Sequence, residues 1–198
     1  MSRNRPEDSS TQAAAPAGGI RWLLILLMIV ATALAARVDL PVPGSPVPIS
    51  GQTLAVLLAG GWLGARDGVL AMALYVAAGS MGLPVFAGGA AGSAVLLGPS
   101  GGYLTGFLVA AGLMGMVEER QGKVGLSPLR PVLITFLFAL LAHALILTLG
   151  GFRLATLFGP ESAWSDGVQP FLVGGVIKAA LATLLIRWAG GRWLPRAQ

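Results

Sequence analysis

The 198-residue chain contains no cysteine and a single histidine. The first absence excludes disulfides and thiolate chemistry. The second leaves no metal-ligand cluster, because no Cys, Asp or Glu accompanies His143 within "FALLAHALILTLG". Charge is scarce as well: 11% of residues are Asp, Glu, Lys or Arg, against about 25% in a soluble domain. No G-x-x-x-x-G-K-[ST] phosphate loop occurs, so ATP-driven movement of a solute would need hydrolysis by another chain. What the chain has is apolar residues, 55% of the total. They fall in blocks of membrane-spanning length rather than in alternation, which leaves no room for a soluble core domain. The net charge of +5 belongs to helix ends facing anionic lipid rather than to a nucleic-acid surface.

Six apolar segments stand at 20–36, 49–64, 68–82, 103–117, 132–150 and 170–189. They predict an all-α membrane protein with six transmembrane helices over residues 20–190. Residues 1–19 read as a disordered cytoplasmic tail, and 191–198 as a cytoplasmic C-terminal tail. With both termini inside, ten cations lie inside: Arg3, Arg5, Arg21, Arg66, Arg120, Lys123, Arg130, Arg187, Arg192 and Arg196. Only Arg37 and Arg153 fall in outside loops. That asymmetry fits an even number of crossings, and Trp22, Trp62, Trp188 and Trp193 sit at inner ends, as interfacial anchors do. The "ALAAR" that closes the first segment matches a signal-peptide cleavage pattern, but the long tail with Glu7 and Asp8 fits a leader poorly.

The outside loops are irregular and apolar. "RVDLPVPGSPVPISGQ" (37–52) carries four prolines, which stiffen and extend it. "LPVFAGGAAGSAVLLGPSGG" (83–102) carries no charge at all. Backbone of this kind is tolerated at membrane depth only when buried in protein or lining a cavity. Both loops are therefore expected to fold over a ligand cavity near the outer surface.

Lys178 lies eight residues into the last segment, roughly 12 Å below its outer end at about 1.5 Å per residue. A lysine at a helix centre costs about 2.5–3.5 kcal/mol on insertion scales. Its functional reading is an ammonium that holds an anionic ligand group; its structural reading is a contact to backbone carbonyls. No Asp or Glu occupies any of the six segments, and Asp39, Glu161 and Asp166 are the nearest outside acids. His143 reads as a neutral imidazole hydrogen-bonded to a neighbouring helix. "GPSGG" (98–102) fits the G-x-S-x-G nucleophile pattern and the short serine motif of rhomboid-type proteases. Ser100 with His143 is thus an intramembrane hydrolase alternative. The chain lacks the strand–turn–helix of a nucleophile elbow, and the same residues make an ordinary turn into a helix. Small-residue pairs, Ala31/Ala35 and Gly102/Gly106, permit close helix approach.

Three stretches carry a family likeness: Pro46–Ile49 with Gln52–Leu54, Gly82–Phe86, and Leu96–Tyr103. Together with "PFLVGGVIKAALA" (170–182) they closely resemble the BioY family, the biotin-specific substrate-binding (S) components of energy-coupling factor transporters. The resemblance covers about residues 20–190. It implies six helices, cytoplasmic termini and residence in the bacterial cytoplasmic membrane. It implies biotin uptake, not catalysis, with no metal and no cofactor; ATP would be used only by partners, a transmembrane coupling protein and a pair of ABC-type ATPases. It sets Lys178 near the biotin carboxylate and maps a docking motif onto Ala31 and Ala35. Gln52 is a further expected contact, offering donor and acceptor to the ureido group, while Val85, Phe86 and Tyr75 are expected against apolar parts. The chain departs from the family pattern at two polar positions. Gly175 stands where an aspartate is common, three residues before the lysine, and Ala87-Gly88-Gly89 replaces the polar residue after Gly-Leu-Pro-Val-Phe. These departures leave a biotin precursor, or another small carboxylate, as an alternative substrate.

Overall fold

The computed structural model describes residues 18–121 and 129–189. Both tails therefore lie outside the described residues, save for Gly18 and Gly19, which open the first helix. The same holds for Arg3, Arg5, Lys123, Arg192, Trp193 and Arg196.

Each of the six apolar segments forms a helix: α1 (Gly18–Ala35), α2 (Gln52–Leu63), α3 (Ala65–Ser80), α5 (Gly101–Gln121), α6 (Leu129–Phe158) and α8 (Phe171–Ala189). Two short helices, α4 (Ser93–Leu97) and α7 (Pro160–Gly167), lie in the connections. Four of the helices, α1, α5, α6 and α8, are long and apolar enough to cross a membrane. With 12 and 16 residues, α2 and α3 fall short of the ~20 needed. They lie against α1, α5 and each other, and α2 also against α8.

Gly64, at φ 85°, separates α2 from α3, a conformation that favours glycine. The first free N–H of α3, on Ala65, donates to Glu119 Oε1 of α5 at 2.8 Å. Further along, α5 packs against α6 through the Gly102/Gly106 pair. A Cβ on Gly102 would lie 2.2 Å from the Leu149 carbonyl oxygen, and one on Gly106 2.8 Å from Ile146 Cα. In lipid, where apolar burial drives little association, such backbone proximity is what helix packing has to offer. This small-residue pair therefore works within the chain.

Two sequence boundaries are corrected. Gly150 and Gly151 do not end α6, because the Tyr103 ring and Val168 occupy the space their missing side chains leave; the helix runs on to Phe158 and stops before Gly159, at φ 91°. Arg153 is consequently a helix residue rather than a loop residue. The stretch 49–64 starts with a strand residue pair, not with helix: β1 (Asp39–Leu40) and β2 (Ile49–Ser50) pair antiparallel, Asp39 opposite Ser50.

The helices alternate in direction, so the connections gather at two ends. At one end Gly51 N–H donates to the Ala35 carbonyl at 3.1 Å, Arg37 donates to the Pro84 carbonyl at 2.5 Å, and the Tyr103 hydroxyl donates to the Gly167 carbonyl at 2.6 Å. At the other, Arg21 pairs with Asp67 at 2.6 Å and Arg187 pairs with Glu118.

Candidate functional site

The end that carries the hairpin and the uncharged loop holds a cavity of about 350 Å³. Four walls come from sequence-remote pieces. The hairpin supplies Pro46, Val47, Pro48 and Ser50; the uncharged loop supplies Phe86, Ala87, Ala94, Val95 and Ser100 among others. Helix α5 contributes Tyr103, Leu104 and Phe107, and α6 and α8 contribute His143, Ile146, Leu147, Phe171 and Lys178. Gln52 and Thr53 reach in from the first turn of α2. Both loops thus line a cavity, as the proline-rich apolar composition of one and the uncharged composition of the other predict.

Pro46 and Pro48 of the hairpin line the cavity, and one polar chain ties the hairpin to the bundle. The Ser50 hydroxyl donates to Gln52 Oε1 at 2.8 Å; Gln52 Nε2 donates to the Tyr75 hydroxyl oxygen at 2.5 Å; the Tyr75 hydroxyl donates to the Val85 carbonyl at 2.8 Å. One connected set therefore joins hairpin, α2, α3 and the uncharged loop. Lys178 Nζ donates to the Ser50 carbonyl at 2.6 Å, joining α8 to the same set. An ammonium has three donors, so two remain for the cavity. None of the three outside acids pairs with Lys178 among the described residues.

The other expected site residues divide. Gln52 lines the cavity with its carbonyl oxygen already engaged by Ser50. Phe86 lines it too; its ring stands edge-on to Tyr75, with centroids 5.7 Å apart, and rests where a Gly79 side chain would be. Tyr75 is fully buried one layer behind the cavity, a support for Gln52 and Val85 rather than part of the wall. Gly88 is exposed in a 3-10 turn over Ala87–Gly89, at φ 65°, facing Asp39 rather than the cavity. Gly175 is buried with its Cα face under the His143 ring: a Cβ there would lie 2.2 Å from Cδ2 and 2.3 Å from Nε2. Ala31 and Ala35 are half-buried, and Ala35 already packs on Gly51 within the chain.

His143 is the largest departure from expectation. Neither ring nitrogen has a hydrogen-bond partner among the described residues, although the side chain is buried and lines the cavity. The ring faces the neighbouring helix α8 at Gly175 and at the Phe171 backbone, its expected side, without a hydrogen bond of close geometry. Thr53 Oγ1 is likewise buried and unpartnered on the cavity wall. Ser100 also lines the cavity, but it makes no hydrogen bond to His143, so the two do not form a nucleophile–base pair. Sequence reasoning passed over Ser50, whose contribution is a backbone oxygen with no residue signature. It also passed over Tyr103 and Phe171, whose rings lie 6.0 Å apart at the cavity's α8 corner; aromatics at helix starts carried that signal.

Comparison with known proteins gives the family. The BioY family model matches residues 9–195. A probable biotin transporter BioY of Pyrococcus horikoshii is 34% identical, over 82% of this chain and 91% of its own. The biotin transporter BioY of Rhizobium etli is 38% identical over 72% and 77%, and BioY2 of Lactococcus lactis 36% identical over 82% and 87%. The crystal structure of an S-component for biotin from an ECF-type ABC transporter superposes with a TM-score of 0.75 at 25% identity, covering 88% of this chain and 93% of that one. BioY proteins are transporters, not enzymes, which removes the hydrolase alternative. The chain belongs to the BioY family.

Proposed function

We propose that the protein is the biotin-binding subunit of an uptake system. The observation that carries this reading is the 350 Å³ cavity with the Lys178 ammonium on its wall. Its volume is at the small end of the ~300–1,000 Å³ typical of ligand pockets, which suits a vitamin-sized molecule. Phe86, Leu104, Phe107 and Ile146 offer apolar surface to the ring sulfur and alkyl chain. Thr53 Oγ1 and the second N–H of Gln52 offer hydrogen bonds to the ureido group. Lys178 takes the carboxylate by a charge-assisted contact in a dry site. Tyr75, Gly88 and Gly175 act from behind the wall: Tyr75 fixes Gln52, Gly88 turns the loop, and Gly175 makes room for His143.

Six helices cross the membrane in this reading, both termini lie inside, and the cavity opens outward. Among the described residues Arg21, Arg66, Arg120, Arg130 and Arg187 stand near the end away from the cavity, as the excess of inside cations requires. Short α2 and α3 need not reach across alone, because protein rather than lipid surrounds most of α2. The membrane is a bacterial cytoplasmic one. An ECF coupling protein docks along α1, where Ala31 and Ala35 flank an exposed row of Leu23, Leu27, Val30 and Leu34, and partner ATPases supply the energy.

Equilibrium binding of radiolabelled biotin to the purified protein tests the reading. Saturable binding below micromolar ligand is expected. No binding at micromolar ligand overturns it, and preferential displacement of biotin by dethiobiotin reassigns the substrate to a precursor.

A further inference from the structure

Every buried side-chain nitrogen or oxygen on the cavity wall, except those of two residues, has a hydrogen-bond partner among the described residues. Of the two exceptions, Thr53 and His143, the histidine is the more costly to leave bare. It is 5% exposed, and both ring nitrogens lack partners among the described residues. Buried polar groups are nearly always hydrogen-bonded, and one that is not calls for an explanation. Packing does not supply it. The ring is admitted only because residue 175 is glycine: a Cβ there would stand 2.2 Å from the ring. The Cδ2–Nε2 edge of the ring lies over Gly175, beside the Phe171 backbone of α8, and the ring also lines the cavity, so a ligand there is the further group within its reach.

The direction matters. Gly175 and Lys178 are three residues apart on α8, which puts them one above the other on one helix face. The His143 ring over Gly175 and the ammonium of Lys178 therefore serve neighbouring parts of one wall, and His143 and Lys178 both line the cavity. Lys178 has one N–H committed to the Ser50 carbonyl and two available. A carboxylate has two oxygens and accepts from several donors at once. A neutral imidazole supplies a single N–H donor, so it adds a directed hydrogen bond without adding a second cation.

We infer that His143 is a specificity-determining contact: with Lys178 it forms a two-donor clamp on the carboxylate of the bound ligand, the lysine supplying charge and the histidine direction. The inference rests on the biotin reading of the preceding subsection. It adds a residue on α6 to the ligand's recognition and gives Gly175 a role, that of keeping the space in which the ring turns toward the ligand.

The test compares two ligands in purified protein: biotin, and biotinol, in which a primary alcohol replaces the carboxylate. His143→Phe keeps the ring's bulk and removes its donor. Its biotin affinity is expected to fall at least about tenfold, the scale of a lost hydrogen bond to a charged group. Its biotinol affinity is expected to stay within about threefold of the parent's, since a bond to a neutral oxygen is worth less. His143→Gln, which restores an N–H donor, is expected to regain part of the loss for biotin. Equal losses for the two ligands, or biotin binding by His143→Phe at the parent's affinity, would overturn the clamp while leaving the biotin reading intact. A parent protein that binds neither ligand defeats the biotin reading itself. Thermal unfolding of the ligand-free variants checks their folding, and if His143→Phe does not fold, His143→Met takes its place with the same expected ratios.

Discussion

Lys178 Nζ donates to the backbone carbonyl of Ser50, a residue 128 positions earlier, at 2.6 Å. This bond answers how an expensive cation is kept in a helix with no acid near it. The carbonyl belongs to β2, whose partner strand and whose link to Gln52 hold it in place. The lysine thereby fastens the proline-rich hairpin to the last helix while leaving two donors for a ligand. In the proposed reading a ligand anion at the ammonium would act on the same group that anchors the loop above it, which would link ligand occupancy to loop order through one side chain.

Lys178→Met follows from that link. Removing a charged hydrogen-bond donor costs about 1.5–3 kcal/mol, so biotin affinity is expected to fall roughly 10- to 100-fold. The ligand-free protein is expected to be cut faster by protease between Leu40 and Ile49, because the Ser50 carbonyl has lost its tie. Unchanged affinity would remove the carboxylate role; unchanged cleavage would remove the anchoring role.

Tyr75→Phe separates support from contact. The substitution keeps the ring against Phe86 but deletes the hydroxyl that accepts from Gln52 and donates to Val85. A buried acceptor left without its donor costs about 1–3 kcal/mol. The thermal midpoint is expected to drop by several degrees, with a smaller fall in biotin affinity than Lys178→Met gives. An affinity loss larger than that of Lys178→Met, with the midpoint unmoved, would put Tyr75 on the ligand instead.

Much of this was legible in the residues, and the boundary is instructive. The helices follow from uninterrupted apolar runs, which in lipid must satisfy their own backbone. The cavity cover follows from two loops too apolar for water. Lys178 stood out because charge in an apolar run is rare. What stayed hidden depends on pairs far apart in the chain. Ser50 acts through its carbonyl, which every residue has. Gly175 looked like a missing acid, and only its distance from His143 reveals a space filled from α6. Gly150 and Gly151 looked like a helix end, and only Tyr103 and Val168 packed against them show why the helix continues.

Away from the cavity, a polar cluster joins three helices. Glu118 of α5 is buried and paired with Arg187 of α8, and it accepts from Thr135 of α6 at 2.5 Å and from Gln121 at 3.2 Å. Deleting one partner of a buried ion pair costs about 3–5 kcal/mol because the other charge stays behind. Arg187→Met, which strands the carboxylate, is expected to lower the thermal midpoint strongly; Arg187→Met with Glu118→Gln is expected to recover most of it. A double variant no more stable than Arg187→Met alone would mean that packing, not the stranded charge, sets the loss.

The contact between Gly175 and His143 is open to a direct double-substitution test. A methyl group on residue 175 would begin 2.2 Å from the ring, closer than van der Waals contact permits, so ring or helix must move. Overpacking of this kind costs about 1–3 kcal/mol. Gly175→Ala is therefore expected to lower the thermal midpoint of the ligand-free protein and, by turning the ring away, to weaken biotin binding as well. His143→Ala opens the same space. In the presence of His143→Ala, Gly175→Ala is expected to cost little or nothing, giving a coupling of about 0.5–3 kcal/mol between the two positions. Strict additivity of the two substitutions would show that the ring does not rest on the glycine. Coupling in stability without coupling in biotin affinity would show that it rests there for packing alone, and the ligand's second hydrogen bond would then have to come from another wall of the cavity.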